Sequence, residues 1–211
     1  IGVGDETGLS LAARPDGPDA LTSKDGSLGR IVLPIGMASD EQGTLYLLGQ
    51  RHPGVRRFDP DRCAFVPLKG IGDTFGSEVG QFYEQLKDPS HPLPSNIAIA
   101  GHNLYVADRG NRRVQVFALG TGAVRHVWGP RDDKGRRTSI TSPRTWEPVD
   151  VAAQSGRTYI LDRRYSRVYF HRPGTDRLKL LIRGPSSGAS WTRIALDKEG
   201  RIYIRNVVTP E

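Results

Sequence analysis

The sequence has little sulfur and no long apolar run. It contains 1 cysteine and 1 methionine among 211 residues. The lone Cys63 excludes an intrachain disulfide, and we interpret it as a small buried hydrophobic residue. No apolar run approaches the ~18 residues that a membrane-spanning helix requires, so we expect no membrane insertion. No charged stretch followed by an apolar one stands near Ile1, so no signal peptide is visible.

Glycine and proline, in contrast, are abundant. The 25 glycines and 15 prolines fall between short apolar runs, which favours an all-β fold. Lysine and arginine number 30 against 23 acidic residues, which gives a net charge of +7. This charge permits nucleic acid, an anionic membrane surface or an acidic protein as a partner, and it does not choose among them.

One phrase of sequence occurs four times: an apolar strand, a glycine or asparagine turn, a tyrosine-bearing strand, a charged corner and a further strand. The copies start near residues 33, 93, 147 and 191. Their tyrosines lie 59, 54 and 44 residues apart, at Tyr46, Tyr105, Tyr159 and Tyr203. Repeats of this length are typical of β-propeller blades, whose apolar faces are buried only against neighbouring blades. We therefore predict an all-β propeller, or an arc of one, over residues 30–211.

About four blades are visible, the last of them truncated, with a tyrosine strand second in each. We expect the innermost strands near residues 35–38, 97–100, 149–152 and 194–196. Either the N-terminal segment of residues 1–29 supplies part of another blade or the rest of the ring lies outside this chain. We expect the chain to be a segment of a longer protein.

Two copies place an aspartate and an arginine five residues apart across the charged corner: Asp108 with Arg113, and Asp162 with Arg167. A carboxylate at the end of one strand and a guanidinium at the start of the next can pair across the intervening turn. We interpret both pairs as structural.

The second copy resembles an NHL repeat through three segments: residues 104–108, Asn111 and residues 113–117. The resemblance covers residues 30–208 and implies an NHL-like propeller. The third copy departs from it with Tyr165 and Ser166 where asparagine is usual, and the first has Gly49 and Gly54 where aspartate and arginine are expected. We expect these departures to weaken the corner pairing in those blades.

The segment between the first two copies is too long for a hairpin loop. It spans residues 70–92, and residues 77–87 fit a short helix. One side of this helix would carry Phe82, Tyr83 and Leu86. We interpret the segment as an insertion packed on its own propeller, with a partner-docking helix as the alternative.

Signatures of catalysis are absent from the sequence. Side chains converge on a propeller axis only from equivalent positions, and the 5 histidines occupy unrelated positions in the repeat. No H-E-x-x-H, Cys/His cluster, G-x-S-x-G or phosphate-binding loop occurs. Amidating lyases that share this kind of repeat use metal-binding histidines, and no matching set is present. We therefore expect no enzyme activity, metal or cofactor, with a metal-dependent lyase as the least favoured alternative.

A predicted basic rim favours nucleic acid. Arg109 and Arg112 in the second copy and Arg163 and Arg164 in the third occupy the same inter-strand turn, and adjacent blades would place both turns on one rim. Some NHL propellers bind single-stranded RNA across such a face with arginines and stacked aromatics. Tyr165 is the aromatic residue interleaved with these clusters. RNA binding is therefore the alternative function.

Whole phrases resemble the propeller region of bacterial phage-tail-like proteins, which are encoded with contractile injection systems: residues 17–20, 57–68, 97–99, 104–108 and 124–129. The resemblance implies a structural or interaction role at the baseplate or as an accessory component of the particle. We therefore predict a non-catalytic protein-binding platform whose partners are other proteins of a tail-like assembly. Its expected location is the bacterial cytoplasm or the assembled particle.

Overall fold

The computed structural model describes residues 34–49, 54–83, 96–129, 146–172, 175, 178–185 and 190–207. These residues form 14 β-strands, grouped into three four-stranded antiparallel sheets and one two-stranded sheet. No helix long and apolar enough to span a membrane occurs within these ranges. Residues 1–29, which the sequence analysis assigned to an N-terminal segment, lie outside them.

Each sheet is a blade whose strands follow one another in chain order. Blade 1 contains β1 (Pro34–Ser39), β2 (Leu45–Gly49), β3 (Val55–Asp59) and β4 (Ala64–Pro67). Blade 2 contains β5 (Asn96–Ala100), β6 (Asn103–Asp108), β7 (Arg113–Ala118) and β8 (Val124–Trp128). Blade 3 contains β9 (Pro148–Gln154), β10 (Arg157–Asp162), β11 (Arg167–His171) and β12 (Leu178–Arg183). Blade 4 contains β13 (Ser190–Leu196) and β14 (Ile202–Val207).

The first strands of the blades lie side by side, β1 beside β5, β5 beside β9 and β9 beside β13. This is the arrangement of innermost strands around a propeller axis. The tyrosine strand is second in every blade, and each tyrosine pairs with an alanine of the first strand: Ala38, Ala98, Ala152 and Ala195. The prediction of an all-β propeller arc is therefore confirmed, and the described blades do not close a ring.

The apolar core lies between the blades. Three clusters fill the spaces between blades 1 and 2, blades 2 and 3, and blades 3 and 4. Strand β7 is buried along its whole length because blade 2 has a neighbour on each face. The outermost strand β12 instead alternates between half-buried and exposed residues, as expected for a strand with one face in water. Blade-to-blade packing thus explains why the inner strands lack polar alternation.

Blades 1 and 4 share an aspartate-capped turn between their two inner strands. Asp40 accepts the N–H of Thr44 at 2.8 Å and the hydroxyl of Tyr46 at 3.0 Å. Asp197 makes the same two bonds to the residues four and six positions further along, at 2.8 and 3.0 Å. The glycine three residues after each aspartate has a φ of 79° or 81°, a conformation that favours glycine. The turn between the first and second strands therefore has the same hydrogen bonds in blades 1 and 4.

The insertion after blade 1 is not helical over residues 77–83, so the predicted helix is wrong there. Gly80 has a φ angle of 88°, which interrupts a helix in this segment. Phe82 is buried and meets the ring of Phe117 edge-on, with 5.9 Å between ring centres. This part of the insertion therefore packs on its own propeller and Phe82 does not reach a partner; Leu86 lies outside the described residues.

Cys63 is half-buried in the turn between β3 and β4, so the interpretation as a buried core residue is wrong. Its φ is 49°, in the left-handed region that favours glycine. We expect Cys63→Gly to raise the free energy of unfolding by about 0.5–1 kcal/mol, because relief of this strain exceeds the added entropy of the unfolded chain. Urea denaturation measures the change. Cys63→Ala keeps the Cβ atom and should show no gain; equal gains in both variants would contradict this explanation.

Candidate functional site

Two four-residue turns lie on the same face of the arc. Residues 109–112 join β6 to β7, and residues 163–166 join β10 to β11. The last residue of each turn has a positive φ, 54° at Arg112 and 46° at Ser166, so the two turns have the same shape. We call this surface the arginine face and define it by residues 109–112 and 163–166.

Glu147 connects the two turns. Arg109 Nε donates to Glu147 Oε1 at 2.8 Å, and the carbonyl of Glu147 accepts the N–H of Arg163 at 3.0 Å. The four arginines of the predicted rim are therefore brought together in adjacent turns. Arg163 and Arg164 are exposed, whereas Arg109 and Arg112 are half-buried. Because Glu147 compensates the charge of Arg109, the outward positive charge comes chiefly from the turn of blade 3.

The corner of blade 2 is a buried ion pair. Arg113 Nε donates to Asp108 Oδ2 at 2.8 Å, and both residues are buried. Asn111 Nδ2 donates to the same oxygen at 2.8 Å, and the N–H of Tyr83 donates to the other oxygen at 3.3 Å. Burial raises the pKa of Asp108, and the charge of Arg113 and these donors oppose that rise. The structure thus forms the pair expected of Asp108 and Arg113.

Arg113 also holds the insertion against this corner. Its terminal nitrogens donate to three backbone carbonyls within residues 77–81, at 2.8–2.9 Å. Gln115 donates to the carbonyl of Gln81 at 2.8 Å and accepts the N–H of Gly80 at 2.9 Å. The polar residues of blade 2 that carry the NHL resemblance are therefore occupied by internal contacts.

The corner of blade 3 is built differently. Asp162 Oδ1 accepts the backbone N–H of Glu147 at 3.2 Å and that of Arg164 at 3.1 Å. The guanidinium of Arg167 lies 4.7 Å from the ring centre of Tyr165 and forms no close ion pair with Asp162. Tyr165 stands where blade 2 has its bridging asparagine, and its ring attracts the arginine instead. The expected direct pairing of Asp162 with Arg167 is therefore corrected.

Asp162 makes stability depend on pH. Burial raises the pKa of Asp162 to about 6. The two backbone N–H donors and the charge of Arg167 oppose this rise and only partly offset it. Because this value lies above the ~3.9 of an unfolded chain, the folded state binds the proton more tightly and gains stability as the pH falls through about 6 to 4. The ionised form at neutral pH therefore costs stability.

We expect Asp162→Asn to raise the free energy of unfolding at pH 8 by about 2 kcal/mol, after allowance for partial solvent screening. The amide oxygen can still accept both N–H groups, and the buried charge is gone. At pH 3.5, where the wild-type carboxyl is mostly protonated in both the folded and the unfolded chain, the difference should fall below about 0.5 kcal/mol. Urea denaturation at the two pH values measures it. A variant less stable than the wild type at pH 8 would contradict the assigned cost of the charge.

A row of equivalent residues crosses the first strands, and sequence reasoning missed it. Each member stands two positions before the alanine that pairs with the strand tyrosine: Gly36, Asn96, Asp150 and Arg193. The signal that could have revealed the row was the alignment of the four copies on those alanines.

Asp150 joins three blades within this row. Asn96 Nδ2 of blade 2 donates to its Oδ1 at 2.5 Å, and the N–H of Ile194 in blade 4 donates to its Oδ2 at 2.8 Å. The N–H of Val151 donates to Oδ1 at 2.8 Å. Burial raises the pKa of Asp150, while these donors and the charge of Arg193 lower it. Both oxygens are engaged inside the protein, so the residue serves to hold blades together.

Two histidines pack around a tryptophan between blades 2 and 3. The ring centres of His126 and His171 lie 6.1 and 4.6 Å from that of Trp128, and 6.3 Å from each other. His171 Nε2 lies 2.5 Å from the carbonyl oxygen of Thr175. Within the described ranges, no group of three or more His, Cys, Asp or Glu side chains is placed to hold a metal ion. The ring contacts of His171 with Trp128 and His126 join β11 of blade 3 to β8 of blade 2 and so contribute packing between these blades.

No model of a known family matches the sequence, and no curated protein does. Similar solved structures include an inactive virginiamycin B lyase from Staphylococcus aureus with quinupristin, with a TM-score of 0.54 and 9% identity over 81% of this chain and 48% of that one. Hydrazine synthase from Kuenenia stuttgartiensis matches with a TM-score of 0.53 and 17% identity over 84% and 46% of the two chains. An auxiliary nutrient binding protein from Bacteroides thetaiotaomicron matches with a TM-score of 0.53 and 16% identity over 84% and 36%.

Likeness at these identities shows the fold alone. The matches support the β-propeller architecture, and this chain spans about half or less of the length of those proteins. The resemblances to NHL repeats and to phage-tail-like proteins stay predictions.

Proposed function

We propose that the chain is a non-catalytic module that binds an acidic protein partner on its arginine face. The observation that carries this proposal is the exposed pair Arg163 and Arg164, on a turn anchored by hydrogen bonds to Asp162 and Glu147. Charges on a fixed turn bind a complementary surface with little ordering cost. The net charge of +7 favours the approach of an acidic partner.

We further propose that this partner belongs to a phage-tail-like contractile injection particle, at its baseplate or among its accessory components. This finer proposal rests on the resemblance of several phrases, among them residues 57–68 and 104–108. A propeller suits the position because its sheets hold many loops rigidly and leave them free to contact neighbours.

The absence of catalysis is part of the proposal. Two of the most deeply buried acids, Asp108 and Asp150, have both carboxylate oxygens engaged by donors of the protein itself. A general base or metal ligand needs an oxygen that faces the reactant. These two carboxylates therefore support a structural role.

RNA binding is the second candidate, and the exposed ring of Tyr165 is the observation that favours it. This ring lies beside Arg163 and Arg164 and carries the guanidinium of Arg167 at 4.7 Å, an arrangement on which a base can stack. Glu147 and Asp108 occupy Arg109 and Arg113, which reduces the positive charge available to phosphates. The exposed positive charge that remains lies on one turn, at Arg163 and Arg164, and fits a local acidic patch of a protein better than a run of successive phosphates.

The test is co-sedimentation of the full-length protein with particles purified from its host. We expect recovery with sheath, tube or baseplate proteins. Recovery should fall at least about tenfold for Arg163→Glu with Arg164→Glu, since like charges would then face each other. A control with the same charge change, Arg125→Glu with Arg157→Glu, alters exposed arginines near the opposite ends of their strands and should bind normally.

Equal recovery of the arginine-face variant and the control would contradict the proposed surface. Purification as a free protein that carries RNA, with an affinity that falls steeply with salt, would replace the proposal with RNA binding.

A further inference from the structure

The last residue of β12 extends the arginine face. Arg183 pairs in register with Arg167 on β11, and the N–H of Gly184 donates to the carbonyl of Ser166 at 2.7 Å. Residues directly opposite each other on antiparallel strands carry their side chains on the same face of the sheet. Two arginine side chains therefore leave blade 3 side by side, next to the turn of residues 163–166, and that of Arg183 is exposed.

This pair of arginines has no internal counter-ion. Among the residues that the structure describes, no carboxylate forms an ion pair with Arg167 or Arg183, whereas Arg113 pairs with Asp108 at the equivalent corner of blade 2. Like charges directly opposite each other on neighbouring strands are destabilising. The corner of blade 3 thus holds two positive charges at a cost to stability, and an anion bound between them would remove that cost.

Tyr165 holds one of the two guanidinium groups in place. The guanidinium of Arg167 lies over the ring of Tyr165, with 4.7 Å between its central carbon and the ring centre. A guanidinium that packs on a ring uses its flat face, so its N–H groups, which point outward in the plane, can still donate to an anion. Because Arg167 is half-buried and held by this contact, little further ordering is needed on binding.

We propose that Arg167 and Arg183 bind a phosphate monoester, carried by a phosphorylated side chain of the acidic partner. Such a group has a charge of about −1.5 to −2 at pH 7 and three terminal oxygens, so it matches two guanidinium groups. A carboxylate has one charge and two oxygens, which satisfy only one of them. The source of the phosphate rests on the proposed function. Arg163 and Arg164 stay available for acidic side chains around the phosphate.

Inorganic phosphate tests the site itself, because this probe requires no partner. It is titrated into the 211-residue chain at pH 7.5, and NMR of the arginine Nε–H groups follows binding. We expect a dissociation constant of about 1–10 mM, and binding at least about tenfold weaker for Arg167→Gln and for Arg183→Gln. Lys179→Gln is the matched control, since it removes an exposed charge from the same strand, roughly 13 Å from Arg183, and should bind phosphate normally.

Three further probes test the chemistry of the ligand. Methyl phosphate should bind as well as inorganic phosphate. Acetate and dimethyl phosphate, which carry one charge each, should bind at least about fivefold more weakly. The absence of saturation by about 50 mM phosphate would overturn the proposal, as would equal losses of affinity in Arg183→Gln and Lys179→Gln. Equal affinity for acetate or for dimethyl phosphate, the mimic of an RNA backbone, would also overturn it.

Phosphatase treatment of the purified particles tests the source of the phosphate. We expect recovery of the wild-type protein by co-sedimentation to fall at least about tenfold after treatment. Arg183→Gln should reduce recovery with untreated particles to that same level. Equal recovery of the wild type with treated and untreated particles would overturn the phosphorylated partner and leave the proposed function in place. No recovery with untreated particles would instead overturn the proposed function, and the assigned source of the phosphate with it.

Discussion

Replacing Arg113 with alanine is expected to lower the free energy of unfolding by about 3–5 kcal/mol, since the change leaves a buried charge without its partner. Asp108 is fully buried and receives its charged hydrogen bond from Arg113 Nε. The same substitution removes the donors of three backbone carbonyls in residues 77–81. Urea denaturation at pH 7, followed by tryptophan fluorescence, measures the loss.

Arg167→Ala is the matched control, because Arg167 occupies the same position in blade 3 and forms no close ion pair with Asp162. Its loss should be about 1 kcal/mol or less, the contribution of an exposed cation–π contact. Arg113→Ala should also make residues 77–83 more susceptible to proteolysis, since their backbone bonds to the corner are gone. Equal losses in the two variants would contradict the special role of the blade 2 corner.

Replacing Asp150 with alanine is expected to lower the free energy of unfolding by about 2–4 kcal/mol. The backbone N–H groups of Val151 and Ile194 and the amide of Asn96 would lose their acceptor, and buried donors without partners are costly. Removal of an unfavourable buried charge offsets part of this cost. The same denaturation experiment measures it.

Asn96→Ala removes one of those three bonds and leaves the two backbone bonds to Asp150 in place. Its loss should be about 1 kcal/mol. A loss for Asp150→Ala no larger than that for Asn96→Ala would show that the aspartate does not hold the blades together.

The sequence was sufficient to predict the fold because each blade repeats a tyrosine at the same position of its second strand. The tyrosine strands are second in their blades, and their spacing sets the blade length. The helix predicted at residues 77–87 is wrong in its described part, because Gly80 adopts a positive φ angle and Arg113 binds backbone carbonyls of residues 77 and 81. A contact with a residue more than 30 positions away, as here, has no local signal in the sequence.

The sequence predicted where the turns of the arginine face lie, but it did not predict how much of their positive charge is compensated by other residues. The turns that carry Arg109 and Arg163 follow from the repeat, whereas the compensation of Arg109 by Glu147 spans 38 residues and depends on how blades 2 and 3 meet. The predicted pairing of Asp162 with Arg167 is wrong because Tyr165 replaces the bridging asparagine and the guanidinium of Arg167 packs on its ring. The sequence did not reveal the role of Asp150, because its partners Asn96 and Ile194 lie on two other blades.

Hydrogen exchange on the full-length protein, free and bound to the purified particle, tests the central claim most directly. The account predicts slower exchange on binding at residues 109–112 and 163–166, the turns of the arginine face. The turns at the opposite ends of the strands, residues 101–102 and 155–156, should exchange at the same rate in both states. Protection confined to those opposite turns, or none at all in a complex that co-sediments, would contradict the arginine face as the docking surface.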